Sequence, residues 1–147
     1  MPASRAATSK EGESHGRRSH QRPAPELRLQ RLPWGELYIE QLKLGVPLKA
    51  FVSDPDTGMS VQMIRYAAGF TNPWHRHNCA HGIYVLDGTL RTHAGTFGPG
   101  SFVWFPEGML MEHGATDDGD MVALFITNKP FDIHFVGDEN DPAAPAV

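Results

Sequence analysis

Cysteine is almost missing: Cys79 is the one thiol in 147 residues. That scarcity excludes an internal disulfide framework and fits a reducing compartment. No run of about 18 apolar residues occurs, so no transmembrane helix is expected, and the first residues lack the apolar core of a secretory signal. These features predict a soluble, cytoplasmic protein. Basic charge is also scarce where a core is expected. Residues 1–31 carry seven Lys/Arg against three Asp/Glu, whereas residues 32–147 carry six against fourteen. A nucleic-acid surface needs a clustered basic face. The basic cluster, Arg17, Arg18 and Arg22, lies in a Ser/Gly/His-rich stretch without periodicity, so no nucleic-acid partner is expected. Glu11 and Glu13 count against a transit peptide.

The length suits one domain of ordinary globular composition, with 40% hydrophobic and 20% charged residues. Residues 1–31 read as a flexible basic tail, 32–137 as the folded unit and 138–147 as a frayed acidic, Pro/Ala-rich end. Between the tails, short alternating runs predict strands at 34–44, 46–52, 60–67, 81–86, 89–93, 101–105 and 121–126, separated by Gly, Pro, Asn and Asp. Asp54-Pro55-Asp56-Thr57-Gly58 supplies turn chemistry. No long helical period or internal repeat is visible, so the expectation is all-β, a sandwich or one small barrel.

The informative stretch runs from Gly69 to Gly88. His75 and His77 are two apart, and His81 comes four residues later. On an extended strand, side chains two apart share a face, so two imidazoles converge and form a pincer suited to a metal ion. Ile83 and Val85 share the expected inner face with His81. Eight histidines in the chain give roughly 0.4 such His-x-His pairs by chance, so the pair gains meaning from the glycines and the third histidine around it.

With Gly69, His75, His77 and Gly88, the segment resembles the first motif of the cupin superfamily, departing from it by carrying His81 where that family usually has Glu. Gly100, Pro106, Gly108 and His113 resemble the second motif, although His113 arrives two residues late and Asp117 stands where Asn is usual. An insertion of two preserves inward parity if the stretch is extended. The resemblance spans about residues 45–127 and implies a cupin double-stranded β-helix, a small jelly-roll barrel, commonly a homodimer. It further implies a four-histidine metal site of His75, His77, His81 and His113. The implied cofactor is one divalent transition metal, Fe or Mn first, with Zn or Ni as further candidates.

His81 has a second reading as a group beside the metal or a proton carrier, and Tyr84 is a candidate proton relay. His15, His20, His93 and His134 read as ordinary surface or core histidines, Glu107 and Glu112 as solvated, and Cys79 as a thiol without further role. Phe70, Trp74, Tyr84, Phe102, Trp104, Phe105 and Phe125 cluster around the motifs, although alternation allows only one of the pairs Phe102/Trp104 and Val103/Phe105 to face inward. A mostly apolar lining favours a small apolar or aromatic carbonyl compound as substrate. Similarity to cupin dioxygenases and polyketide cyclases places a metal-dependent dioxygenase first. A redox-neutral cyclase, isomerase or lyase is second, and a ligand-sensing module without catalysis is third. Hydrolysis by a Ser or Cys nucleophile is not expected, since the lone Cys79 lacks a set of triad partners.

Overall fold

The computed structural model describes residues 31–138, so the expectations for the two terminal tails lie outside the described residues. The chain forms β1 (Gly35–Ile39), β2 (Leu44–Ser53), β3 (Ser60–Tyr66), β4 (Thr71–Arg76), β5 (His81–Asp87), β6 (Leu90–Thr92), β7 (Gly95–Phe97), β8 (Phe102–Phe105), β9 (Met111–Ala115), β10 (Met121–Thr127) and β11 (His134–Phe135). They make two antiparallel sheets, one in the order β1-β2-β3-β10-β5-β8 and one in the order β11-β4-β9-β6-β7. This is the all-β jelly roll that the sequence pattern and the cupin resemblance imply.

Alternation decides what faces the space between the sheets. On β10, Met121, Ala123, Phe125 and Thr127 are buried while Val122, Leu124 and Ile126 are only partly so. On β5, His81, Ile83 and Val85 point in. The apolar members of these rows, Met121, Ala123, Phe125, Ile83 and Val85, join Ile64, Leu90, Met111 and Ala115 in one core, which removes their surface from water and supplies the main favourable term of folding.

The expected strand over 34–44 is a hairpin instead. β1 ends at Ile39, a 3-10 turn spans Glu40–Leu42, and Lys43 adopts a left-handed conformation with φ of +50° before β2 begins. Ile39 then pairs with Leu44. The turn Glu40-Gln41-Leu42-Lys43 contains none of the usual turn residues, so nothing in its composition interrupts the alternating pattern. The turn at 54–58 forms as expected, with Asp54 Oδ1 accepting from the Asp56 amide at 2.9 Å and Gly58 at φ of +74°. β7 and β11 are too short, at three and two residues, to carry a readable period.

Gly88 shows why the first motif ends on glycine. It sits at φ of +73°, and a Cβ there would lie 2.1 Å from the Asp120 carbonyl oxygen. Only a residue without a side chain both takes that conformation easily and lets the strands come so close.

Candidate metal centre

The histidines meet because of a bulge. β4 pairs with β9 so that Asn72 faces His113, yet His75 faces Met111, leaving three steps on β4 against two on β9. The extra residue falls at Pro73–Trp74. A bulge shifts the in/out parity of the residues after it, so His75 and then His77 turn to the same side as Asn72 and His113. Proline suits this place because it has no N–H to offer the ladder. Just past the strand, the His77 carbonyl accepts from the Gly108 amide at 2.9 Å, while Arg76 Nη1 donates to the Gly108 carbonyl at 2.9 Å. Gly108, at φ of +75°, thereby fastens the second motif to the first. β9 is extended, so the parity expected for His113 holds, and its side chain is buried.

His75, His77 and His113 present one ligand atom each, all within 4.8 Å of one another. His75 lies 4.8 Å from both His77 and His113, measured between ring centroids, with the planes nearly perpendicular. Each ring is anchored through Nδ1. His75 donates to the Pro73 carbonyl at 2.5 Å, and His77 donates to the Asp132 carbonyl. His113 Nδ1 lies 3.3 Å from the Tyr66 hydroxyl. The three Nε2 atoms are buried without partners. A donated Nδ1–H leaves the Nε2 lone pair free, the state a metal ligand needs. The carbonyls fix His75 and His77 as Nε2 acceptors, and His113 takes the same form when its Nδ1–H donates to the Tyr66 hydroxyl, so three buried rings facing one another fit a divalent metal ion. Otherwise the same atoms would be buried polar groups left unsatisfied, at a cost of about 1–3 kcal/mol each.

Burial pushes every one of these rings toward neutrality. His75 is lowered to about 4 by burial and by the neighbouring His77 charge, against the Pro73 carbonyl. His77 is lowered by burial against the opposing Asp132 carbonyl and charge. His113 falls well below its ordinary value, first through burial and then through the other histidines. The cluster is therefore deprotonated at neutral pH and ready to bind a cation.

His81 stands beside this trio. Its ring centroid is 4.6 Å from His77 and 6.3 Å from His113. It is stacked between Phe105 at 4.8 Å and Phe125 at 4.9 Å. Neither of its nitrogens has a partner, and burial, then the His77 and His75 charges, lower it to about 3. Tyr84 is a correction: the alternation that turns His81, Ile83 and Val85 inward turns Tyr84 outward, where it is 38% exposed. It cannot relay protons to the histidines from the opposite face of the sheet.

The aromatic lining is likewise redistributed. Phe105 and Phe125 are buried against His81, whereas Phe102 and Trp104 are exposed on the outer face. Trp74 is exposed and packs on His93, and Phe70 packs on Tyr66. Glu107 pairs with Lys129 at 2.7 Å on the surface. Cys79 is fully buried, its thiol pushed up to about 11 by burial and the Asp132 charge, which suits an unreactive group.

Four groups at the centre escape sequence reasoning. Tyr66 is buried against His113 and lines, with Val46, Pro47 and Phe70, a cavity of about 70 Å³. Asn72 is buried in register with His113, its Oδ1 unpartnered. Phe131 lies 5.0 Å from His77, and Asp132 reaches His77 from 55 positions away. Only the inward parity of Tyr66 on β3 leaves a trace in the sequence.

Known proteins share this fold. The profile of the ChrR cupin-like domain matches residues 27–132. The chain belongs to that cupin family. No curated protein matches the sequence, but many solved structures share the fold. An RmlC-like cupin from Ralstonia eutropha superposes with a TM-score of 0.61 at 21% identity, covering 71% of this chain and 68% of the other. The polyketide cyclase RemF from Streptomyces resistomycificus gives 0.60 at 16% identity, covering 81% and 89%. A chain in the complex of Rhodobacter sphaeroides SigE with the anti-sigma ChrR gives 0.54 at 21% identity, covering 68% and 51%. At these identities the likeness is one of fold. Among the described residues, no helix of this ChrR-like cupin is long and apolar enough to cross a membrane.

Proposed function

We propose that this ChrR-like cupin holds one divalent transition metal through Nε2 of His75, His77 and His113, with His81 as the fourth ligand, and serves as a metal-dependent sensing module. The observation that carries the reading is the trio of unpartnered, buried Nε2 atoms whose Nδ1 partners face an anchoring oxygen. Four neutral imidazoles leave the ion's charge uncompensated, so it would act as a strong Lewis acid toward an oxygen donor that reaches it. Fe or Mn is the first expectation, with Zn or Ni next. Sensing is favoured over turnover because all four rings are at most 2% exposed. The aromatic rings of Phe105, Phe125 and Phe131 pack directly against His77 and His81. Asn72 Oδ1, buried without a partner, would accept a hydrogen bond from a ligand that reaches it. The family's namesake is an anti-sigma protein, which supports a regulatory role with a protein as the onward partner.

A second reading is an enzyme acting on a small apolar or aromatic carbonyl compound, as a dioxygenase or as a redox-neutral cyclase, isomerase or lyase. The fold shared with the polyketide cyclase RemF and the apolar rings of Phe105, Phe125 and Phe131 around the histidines support it. Elemental analysis of untagged protein, beside His81→Ala and His113→Ala, is the first test. About one metal per chain, lost in His113→Ala and reduced in His81→Ala, supports the centre; no metal after reconstitution overturns it. Oxygen uptake or anaerobic turnover of diketone and aromatic ketone substrates would move the assignment to catalysis. Ligand binding without turnover retains the sensor.

The assembly we propose is a cytoplasmic homodimer joined through the outer face of the six-stranded sheet. Met63, Leu124, Tyr84 and Phe102 form one row across that face, and Val52, Val61, Ile126, Gly82 and Trp104 the next. A two-fold axis parallel to the strands, between β3 and β10, sets Met63 of one copy on Leu124 of the other and Val61 on Ile126. The face is therefore self-complementary, and packing would cover Phe102 and Trp104, which are 56% and 51% exposed on the edge strand β8.

A further inference from the structure

The candidate ligands lie between residues 75 and 113, yet the ring that begins the loop between β4 and β5 is fixed by a segment beyond β10. Asp132 grips this loop twice. Its carbonyl accepts from His77 Nδ1. Its carboxylate accepts from the Asn78 amide at 2.7 Å, from Asn78 Nδ2 at 2.6 Å and from His134 Nε2 at 2.8 Å. Burial would raise the Asp132 carboxyl, but the Asn78 amide and His134 outweigh it and hold it below its ordinary value. On either side the same segment packs on the rings, with Phe131 5.0 Å from His77 and Phe135 5.8 Å from His75. At its start, Asn128 Oδ1 accepts from the Ala80 amide at 2.9 Å. Only the two ladder pairs of β11 tie this segment into a sheet.

We propose that residues 128–135 are a clip whose docking sets His77 as a metal ligand, with Asp132 as the positioning residue, so that metal binding and clip docking are coupled. The proposal rests on the metal-centre reading above. With Nδ1–H held by the Asp132 carbonyl, the imidazole keeps one tautomer and one direction, and its Nε2 lone pair faces His75 and His113. When the carboxylate lets go of Asn78, the carbonyl moves away and both constraints go with it. Coupling is reciprocal: a metal tightens the clip, and anything that draws residues 128–135 away loosens the metal. A short, weakly laddered element is well suited to this role, because its own opening costs little compared with opening the core.

The test uses the full chain as wild type, Asp132→Ala, Asn78→Ala and the double variant, with zinc as probe. Zinc affinity is read by chelator competition, segment opening by hydrogen exchange, and the His77 tautomer by imidazole ¹⁵N NMR of metal-free protein. Zinc should slow exchange across 128–135 in the wild type. Asp132→Ala should weaken zinc by about 10–100-fold, the usual effect of losing a group that orients a ligand, and release His77 from the Nδ1–H tautomer. The double variant should be no weaker than Asp132→Ala, because the Asn78 side chain acts through that carboxylate. Unchanged exchange on adding zinc, or wild-type zinc affinity in Asp132→Ala, overturns the coupling. If Asp132→Ala does not fold, Asp132→Asn, which keeps one acceptor, should give the same shifts at smaller size. A wild type that binds no metal overturns the metal-centre reading and the coupling with it. The tautomer comparison then still decides Asp132's positioning role: the same His77 tautomer in both metal-free proteins rejects it.

Discussion

Pro73 and His75 lie two residues apart in β4, and the Pro73 carbonyl accepts the hydrogen bond from His75 Nδ1 at 2.5 Å. The same proline marks the bulge that turns His75 toward His113. One local irregularity thus sets both where the imidazole points and which of its nitrogens is left free.

Removing the extra residue should leave His75 facing inward. Deleting Trp74 sets His75 two residues from Asn72 on an unbroken β4–β9 ladder, still opposite Met111, and side chains two apart on a strand share a face. The expected outcome is a folded β protein by circular dichroism that still binds metal. Loss of metal from a folded deletion variant would contradict the bulge argument.

Acid should destabilise the metal-free protein in a defined window. The four rings have folded values below the ordinary 6.5, about 4 for His75 and about 3 for His81, chiefly through burial. Below 6.5 the unfolded chain takes up protons that the folded one refuses, so stability present above 6.5 is lost as pH falls toward 4 and then 3. Melting temperatures of metal-free protein should be level from pH 8 to 7 and decline steadily from 6 to 4. Metal-loaded protein should start higher and fall more steeply, since protons compete for the same nitrogens. A metal-free melting temperature independent of pH down to 4 would refute the assignment.

Gly114 carries a packing constraint next to His113. A Cβ there would come within 1.9 Å of the Phe70 carbonyl oxygen, a backbone atom that also accepts from the Ala115 amide at 2.9 Å. Gly114→Ala should cost about 1–3 kcal/mol through overpacking, a fall in melting temperature of about 5–15 °C. Calorimetry reads it directly, and metal affinity should drop with it because β9 must shift.

The outer face separates assembly from chemistry. Tyr84→Phe should leave metal content and any turnover unchanged, since the hydroxyl lies on the opposite side of β5 from His81. Trp104→Glu places a charge in the proposed dimer face and should move the mass seen by light scattering from two chains to one. A Tyr84→Phe variant that loses activity would restore this residue to the site.

Much of the fold was legible in the order of residues. The period of two on β5 and β10 fixed which side chains face inward, and it already excluded Tyr84 once His81 was placed inside. His75, His77 and His113 were readable because their spacing and flanking glycines are local properties, written over a few residues each. The β1–β2 turn was not, since its residues carry no turn signature. The sequence by itself determined the fold class, the inward parity and three of the histidines. The tertiary structure alone decided the bulge that aligns them, the Phe105 and Phe125 walls around His81, the Tyr66 hydroxyl and the Asp132 clip. Parity along a strand comes from backbone geometry that every residue shares. Contacts between positions tens of residues apart depend on how two sheets pack and where their ladders slip, and no short pattern records that.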